Sequence, residues 1–171
     1  MQITAPHPAP PTSGSVFAEE PQAVARELNI LLADAFALYL KTKSFHWHVS
    51  GPNFRDYHLL LDEQATELFA MTDVIAERVR KLGSPTLTSI GEIQRLQRVR
   101  DNENAHLEAS AMLSELLHDN RQFLREMIDV HSLCDREREV ATASILENYI
   151  DEGERRVWFL REIGARKTVA L

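Results

Sequence analysis

The segment from Lys41 to Gln64, KTKSFHWHVSGPNFRDYHLLLDEQ, is rich in side chains that bind metal ions. It holds three of the seven histidines of the chain: His46, His48 and His58. Asp62 follows His58 at a spacing of four, which places both side chains on one face of a helix. Imidazole and carboxylate together favour iron or zinc over calcium, because calcium prefers oxygen ligands alone. The segment therefore predicts a transition-metal site, although one helical pair does not complete it.

A second pair of carboxylates, Asp73 and Glu77, repeats the same spacing later in the sequence. At 100° per residue, an arc of about 100° on the predicted helix contains four ligand-type side chains: His58, Asp62, Asp73 and Glu77. His58 and Asp73 lie about 22 Å apart along the helix axis, whereas metal–ligand bonds measure about 2.0–2.6 Å. One ion cannot bind both ends, so the helix carries two incomplete half-sites.

Two-fold symmetry offers a way to complete both half-sites. If a second copy of the helix crosses antiparallel near residues 67–68, the His58 end of each chain meets the Asp73 end of the other. Such an interface would carry two identical metal sites. Salt bridges to Arg55 and Arg80, which lie in or near the same arc, are the alternative explanation for these carboxylates.

His46 fits the same arrangement as a further ligand. It lies six residues before Pro52, and His58 lies six residues after it. In an antiparallel helical hairpin that turns at Gly51 and Pro52, these two histidines sit at the same level. His48 points about 200° away from His46, so we expect His46 to be the ligand. We call His46, His58 and Asp62 the N-terminal half-site, and Asp73 and Glu77 the C-terminal half-site.

The elements that must position these residues are long amphipathic helices. Apolar residues recur at steps of three and four, and no segment alternates as a strand would. We predict four long helices, over residues 21–49, 53–82, 103–130 and 137–163. Asn53 and Gly83 are the predicted cap and stop of the second, and a short helix through Ile93 and Leu96 follows a connector at 84–91. The predicted fold is all-α, an antiparallel four-helix bundle with a short extra helix between helices two and three.

Composition is typical of a globular protein of one domain. The chain has 171 residues, 44% hydrophobic and 26% charged, and contains no apolar run long enough to span a membrane. Four of the seven prolines lie in the first eleven residues, so we expect a flexible tail at 1–18, a bundle at 19–165 and a short tail at 166–171. The N-terminal segment lacks the pattern of a secretory signal. The single cysteine, Cys134, excludes an intrachain disulfide, fits a reducing cytoplasm and is expected to be buried or inert.

Taken together, these motifs resemble the Dps family, the ferritin-like miniferritins of bacteria. The resemblance is carried by FHWHVSGPNF at 45–54, HxxxD at 58–62 and DxxxERxxxLG at 73–83. It extends over most of residues 20–163, including ATASILENYIDEGERRVWFL near the C-terminus. The combined spacing is specific, whereas any one of these pieces alone would not be.

The resemblance implies a ferroxidase and an iron store. Members of the family assemble as homo-oligomers, hollow dodecamers that oxidise Fe(II), generally with hydrogen peroxide, and store the ferric mineral inside. This chemistry protects against oxidative stress. The family's centre lies between two-fold related subunits, and the matching positions here are His46, His58 and Asp62 of one chain with Asp73 and Glu77 of the other. The same donor set would also accept zinc as a substitute for iron.

Three further features each have two explanations. Trp47, beside the predicted ligands, would intercept stray oxidising equivalents or would pack at the interface. Asp135, Glu137 and Glu139 would line a pore that admits iron near a three-fold axis, as acidic residues do in the family, or would only favour a helix N-terminus. His7 would bind metal or would have no role.

An in-bundle di-iron carboxylate protein is the first alternative function. Such proteins carry Glu-x-x-His motifs on two different helices, and this chain has Glu103-x-x-His106 and Glu115-x-x-His118. Both motifs fall on the same predicted helix, about 120° apart, so they cannot close on one centre. We expect these four residues to lie on the surface.

A DNA-compacting structural protein is the second alternative. Some members of the family bind DNA through lysine-rich tails that neutralise phosphates. Here the net charge is −7, the first 25 residues contain no lysine or arginine, and the C-terminal end offers only Arg166 and Lys167. We therefore expect weak DNA binding at physiological salt, with association with the nucleoid only if avidity from many copies compensates.

Overall fold

The computed structural model describes residues 21–164, which form five α-helices and no strand. The helices are α1 (Pro21–His48), α2 (Phe54–Lys81), α3 (Ile90–Leu96), α4 (Ala109–Arg136) and α5 (Val140–Gly164). The all-α prediction is confirmed, including the short helix between the second and third long helices. The predicted tails, with His7 in the first and Arg166 and Lys167 in the second, lie outside the described residues.

The four long helices form two hairpins that pack against each other. Short turns join α1 to α2 and α4 to α5. Across the bundle, Glu67 pairs with Arg155 at 2.7 Å and Arg78 pairs with Glu139 at 2.6 Å, so α5 runs antiparallel to α2. Because α4 is also antiparallel to α5, α2 and α4 run in the same direction. Their connection must therefore cross the length of the bundle, as in ferritin-like folds.

Polar side chains of α1 hold this long connection against the bundle. Asp34, which is buried, accepts three hydrogen bonds of 2.6–2.9 Å from the backbone and guanidinium of Arg98. Lys41, also buried, pairs with Asp119 of α4 at 2.7 Å, so neither buried charge lacks a partner. In order along α1, the anchors and their partners in the connection are Asn29 with Pro85, Asp34 with Arg98, and Lys41 with Arg100.

The core consists of apolar side chains from the four long helices. Fully buried examples are Leu31, Leu38, Leu61, Leu68, Met71, Leu116 and Leu146. Each such burial contributes about 1.5–3 kcal/mol, which fixes how the helices sit against each other. Cys134 is buried and burial raises the pKa of its thiol to about 11, so the expectation of a buried cysteine is confirmed. No helix within residues 21–164 combines the length and apolarity that crossing a membrane requires.

The start of α4 differs from the prediction. The helix begins at Ala109, whereas the sequence pattern placed its start at Glu103. The side chains of Asn102 and Asn104 accept hydrogen bonds from the backbone N–H groups two residues ahead, of Asn104 and His106, at 2.8 and 2.9 Å. Such local hydrogen bonds compete with helix formation, and they keep this segment irregular.

The predicted cap and stop of α2 can both be compared with the structure. Asn53 is the N-cap residue of α2, so the predicted position of the cap is confirmed. Its side chain makes no capping hydrogen bond and instead donates to the hydroxyl of Tyr57 at 3.1 Å. Gly83 follows the C-terminal cap with φ of +83°, a conformation that glycine adopts most readily, so the predicted stop is confirmed.

Candidate metal centre

The hairpin of α1 and α2 brings His46 and His58 face to face. Their rings are stacked, with centroids 3.7 Å apart and planes inclined by 22°. Nδ1 of His46 lies 2.8 Å from the carbonyl oxygen of His58, and Nδ1 of His58 lies 2.9 Å from the carbonyl oxygen of His46. Because a carbonyl oxygen only accepts hydrogen bonds, both rings carry a proton on Nδ1. The lone pair of each Nε2 is therefore left for a metal ion.

Local structure in the turn explains why the two histidines meet. Gly51 has φ of +105°, which allows the chain to reverse within a few residues. The backbone N–H of Val49 donates to Phe45 at 2.8 Å, and that of Phe54 donates to Gly51 at 3.1 Å. Phe45 and Val49 are buried in the core, so the end of the hairpin is fixed by packing.

Asp62 lies one turn beyond His58 and completes the N-terminal half-site. Its Oδ1 lies 4.0 Å from Nε2 of His46 and 2.6 Å from Nζ of Lys43. The hydrogen bond from Lys43 is the main reason that the pKa of Asp62 is lowered below its usual range. The ammonium group of Lys43 thus supplies the positive charge next to this carboxylate.

His48 does not take part in this cluster. Its Nδ1 lies 2.7 Å from the carbonyl oxygen of Ser44, and its side chain is exposed. The chain thus places His46, not His48, beside His58, in agreement with the predicted geometry. That His46 binds a metal ion stays a prediction.

The C-terminal half-site is open to solvent. Asp73 and Glu77 are both exposed, and Glu77 pairs with Lys81 at 3.1 Å with both side chains about 60% exposed. Within residues 21–164 of one chain, no group of three or more His, Cys, Asp or Glu side chains could hold a metal ion. A single chain therefore leaves the two half-sites apart, as their spacing on α2 requires.

Two lysines that sequence reasoning missed interact with the predicted ligands. Lys43 lies three residues before His46, hence on the same face of α1, and Lys81 follows Glu77 at a spacing of four; both spacings are visible in the sequence. The predicted alternative named arginines instead. Among the described ion pairs, neither Arg55 nor Arg80 pairs with these carboxylates.

Exposed apolar side chains surround the half-sites. Phe69 is 53% exposed and Leu59 is 45% exposed, and both fall within the same arc of α2 as the predicted ligands. Trp47, beside His46, is 60% exposed. Large apolar groups of this kind, grouped around a polar cluster, are typical of a surface that binds another protein.

The Glu-x-x-His motifs do not form a second centre. Glu103 and His106 precede α4, so the premise that both motifs share one helix was wrong. Both of these residues are exposed, as is His118. Glu115 is half-buried because it pairs with Lys41 at 3.1 Å, so it is not the free surface residue that was expected.

The acidic residues Asp135, Glu137 and Glu139 do not stand together at the start of a helix. Asp135 lies in the last turn of α4 and Glu137 is the cap at its end. Glu139 precedes α5 and pairs with Arg78 at 2.6 Å, which ties the start of α5 to α2. The predicted pore stays untested, and the favourable charge near a helix N-terminus applies to Glu139 alone.

Comparison with known proteins places this arrangement in a family. The family described as a ferritin-like domain matches residues 25–166. The chain is 31% identical over 145 residues to DNA protection during starvation protein 1 of Deinococcus radiodurans, covering 85% of the chain and 70% of that protein. It is 35% identical over 144 residues to an uncharacterised low temperature-induced protein of Nostoc sp., covering 84% and 80%.

Solved structures agree with the sequence comparison. Dps from Thermosynechococcus elongatus superposes with a TM-score of 0.85 at 27% identity, covering 91% of this chain and 100% of that one. Dps from Bacillus brevis gives a TM-score of 0.81 at 28% identity, covering 85% and 97%. With the helix order, the long connection and the matched sequence all in agreement, the chain belongs to the Dps family of ferritin-like proteins.

Proposed function

We propose that this chain is a ferroxidase and iron-storage protein whose substrate, Fe(II), is oxidised at sites built by two copies of the chain. The observation that carries the proposal is the division of suitable ligands between two ends of one exposed helical face. At one end His46 stacks on His58 and Asp62 lies 4.0 Å from His46, and toward the other end lie Asp73 and Glu77. Membership of the ferritin-like family supports iron as the metal.

The donor set of the N-terminal half-site fits Fe(II). Two Nε2 lone pairs and a carboxylate form a set of intermediate softness, which suits iron or zinc. The reciprocal hydrogen bonds of His46 and His58 fix both tautomers before any ion arrives. Lys43 would release Asp62 when the ion binds, since the ion then balances the carboxylate's charge.

A partner subunit supplies the remaining ligands in this proposal. The two copies of α2 cross antiparallel with Phe69 near the crossing point, and the exposed apolar side chains are buried between them. Each N-terminal half-site then receives Asp73 and Glu77 of the partner subunit. The two centres of one dimer lie about 22 Å apart along the helix axis.

The chemistry of the site follows from its charges. Carboxylate oxygens stabilise Fe(III) more than Fe(II), so Asp62 together with Asp73 and Glu77 of the partner subunit favours loss of an electron. Hydrogen peroxide accepts two electrons, one from each of two ferrous ions, and with two protons yields two water molecules. This route avoids one-electron reduction of peroxide to hydroxyl radical. By the family resemblance, the ferric product is stored inside a hollow dodecamer, in the cytoplasm.

Stopped-flow measurement of Fe(II) oxidation by hydrogen peroxide tests the proposal. Asp73→Ala removes one ligand from both centres of a dimer, and we expect the rate to fall at least about 100-fold. Asp129→Ala, which removes an exposed carboxylate from α4, serves as the matched control and should keep the native rate. Glu115→Ala should also keep it, since an in-bundle centre is not involved. Equal rates for the native chain and Asp73→Ala would overturn the proposal.

DNA compaction is the second candidate function, because several relatives carry the name DNA protection during starvation protein. We propose that this chain binds DNA only weakly, since its net charge is −7 and its first 25 residues contain no lysine or arginine. A gel-shift series across salt concentrations measures this directly. Tight retention of DNA at physiological salt would contradict it.

A further inference from the structure

A positive charge lies beside the N-terminal half-site, where a positive ion is expected to bind. Nζ of Lys43 is 2.6 Å from Oδ1 of Asp62, and the lysine side chain is only 20% exposed. Among the described ion pairs, Lys43 is the one lysine or arginine that contacts a residue of this half-site. Because like charges repel, such a lysine weakens the binding of a metal ion, and a benefit to the reaction would offset that loss.

The distances keep Lys43 close to any ion that the half-site binds. Oδ1 of Asp62 is 4.0 Å from Nε2 of His46, which is close to the sum of two metal–ligand bonds of about 2.0–2.2 Å. An ion bound to Oδ1 cannot lie more than about 4.8 Å from Nζ of Lys43 as the two side chains stand. A small molecule bound to that ion can therefore come within hydrogen-bonding distance of the ammonium group.

The ammonium group has hydrogen-bond donors available for such a molecule. It carries three N–H donors and no acceptor, and its contact with Asp62 uses one of them. That contact weakens when the metal ion balances the charge of the carboxylate. Lys43 remains nearby, because it belongs to α1 and lies one turn before His46 on the same face.

We propose that Lys43 donates a hydrogen bond to the oxygen of hydrogen peroxide that departs when the O–O bond breaks. In the proposed reaction, two ferrous ions each lose one electron, the O–O bond takes up both electrons, and two protons from solvent complete two water molecules. Negative charge develops on the departing oxygen, and a pre-placed ammonium group stabilises it. Lys43 keeps its own protons throughout. The inference rests on the proposed ferroxidase function and adds to it a residue that contacts the oxidant.

A lysine that only holds Asp62 in place predicts a different pattern of effects. Its removal would change the binding of metal and would leave the reaction with peroxide unaltered once metal is saturating. A lysine that contacts the oxidant predicts two effects of opposite sign. Its removal raises metal affinity, since a competitor for the carboxylate is lost, but slows oxidation at saturating metal. A general loss of structure would not raise metal affinity.

Stopped-flow oxidation at saturating Fe(II) and varied hydrogen peroxide measures the reaction with the oxidant in the assembled protein. We expect the second-order rate constant for peroxide to fall at least about tenfold in Lys43→Met, because one pre-placed donor is lost. Lys43→Arg keeps a positive donor and should retain at least about a third of the native value. Arg26→Met is the matched control, since it removes an exposed positive charge from the same helix and should keep the rate constant within about twofold.

Azide binding to the Co(II)-loaded protein provides a measurement that involves no oxidation. Azide is an anion that binds a metal ion through one end and accepts a hydrogen bond at the other, and its binding changes the visible spectrum of Co(II). Azide affinity should fall at least about fivefold in Lys43→Met, although the affinity for Co(II) itself should rise. Arg26→Met should leave azide affinity within about twofold of the native value.

Three outcomes would contradict the inference. Equal rate constants for peroxide in the native protein and in Lys43→Met would exclude a contact with the oxidant. A slower reaction with unchanged azide affinity would show that Lys43 acts only through Asp62. A native protein that oxidises no Fe(II) would overturn the proposed function as well, whereas the first two outcomes leave that function intact. If Lys43→Met does not assemble, Lys43→Gln takes its place with the same expected losses, because the amide carries no charge.

Discussion

The two ends of α2 carry predicted ligands at the same spacing, but the side chains at one end are held in place and those at the other are exposed. In the N-terminal half-site, His46 is 8% exposed, its ring is stacked on His58, and both tautomers are fixed by backbone carbonyl groups. In the C-terminal half-site, Asp73 and Glu77 are exposed, and among the described residues the one ion pair that either of them makes is that of Glu77 with the exposed Lys81. Folding of one chain orders the N-terminal half-site, whereas the C-terminal half-site stays exposed in one chain.

A metal centre shared by two chains would need both groups of side chains to be ordered. The two groups differ in whether that ordering takes place during folding or during binding. Ordering of the histidines is complete once the chain folds, so it no longer opposes binding. Ordering a free glutamate or aspartate opposes binding by up to about 1.5–2 kcal/mol of side-chain entropy per residue, which is met only when the centre assembles. The histidine pair should therefore contribute to binding without further ordering, whereas a complete metal site and oxidation should depend on a second chain.

The largest expected effect comes from breaking the proposed contact between two copies of α2. Phe69→Glu places two like charges near the crossing point of two copies of α2, so we expect loss of the dimer and loss of at least about 99% of the oxidation rate. Size-exclusion chromatography with light scattering and stopped-flow oxidation measure the two effects. Val74→Glu is the control, because Val74 is also exposed on α2 but lies about 140° away around the axis. A Phe69→Glu protein that stays associated and active would contradict the proposed interface.

Mixing two inactive variants should restore activity. His58→Ala damages only the N-terminal half-site and Asp73→Ala only the C-terminal one, so each homodimer has no intact centre. A mixed dimer has one centre broken twice and one centre intact. Random reassembly should therefore recover about a quarter of the native rate, since about half the dimers are mixed and each has one of two centres intact. Recovery is measured after co-expression or unfolding and refolding of the mixture, and a rate no higher than that of the separate variants would show that the ligands do not come from two chains.

Sequence reasoning placed the residues of both predicted half-sites correctly around α2, because those positions depend on periodicity alone. The spacings of His58 to Asp62 and of Asp73 to Glu77 fix their positions around α2, whatever the rest of the chain does. The level of His46 followed from the turn at Gly51, which has the left-handed conformation that such a turn requires. The order of the four long helices followed from apolar repeats in the same way.

Contacts between distant segments could not be read from periodicity. The hydrogen bonds that fix the histidine tautomers go to backbone carbonyl groups, which every residue carries, so no residue type signals them. The late start of α4 depends on side-chain hydrogen bonds of Asn102 and Asn104 that override an apolar repeat. The burial of Arg156 depends on the packing of α2, α4 and α5 around it, which no repeat in the sequence signals.

Replacing Lys43 or Lys81 should change metal affinity by an intermediate amount. Lys43 is 20% exposed and holds Asp62 at 2.6 Å, whereas Lys81 and Glu77 are both about 60% exposed. Lys43→Met removes a competitor for the carboxylate, so Co(II) affinity should rise about three- to tenfold. Lys81→Met should change it less than about twofold, because water and salt already screen that pair. Calorimetric titration of Co(II) into metal-free protein compares the two, and equal changes would mean that the two ends of α2 do not differ as described.

The smallest expected effect concerns the two glycines that flank α2. Gly51 has φ of +105° and Gly83 has φ of +83°. Apart from the adjoining residues of the chain, no atom of the described residues lies within 4 Å of a Cβ added at either position. Alanine therefore introduces backbone strain alone, roughly 1–2 kcal/mol at each site, or a Tm loss of about 2–8 °C for a chain of this length. Scanning calorimetry of both variants should give similar losses.

Metal affinity should nevertheless separate the two glycine variants. Gly51→Ala strains the turn that brings His46 to the level of His58, so Co(II) affinity should fall by about twofold. Gly83→Ala strains a turn next to ligands that are free in any case, so affinity should not change. If Gly51→Ala lost stability but kept full affinity, the stacked rings and their hydrogen bonds would hold the histidine pair without help from the turn. In that case the contacts between His46 and His58 would keep the N-terminal half-site ordered, and the turn of the hairpin would not be needed for it.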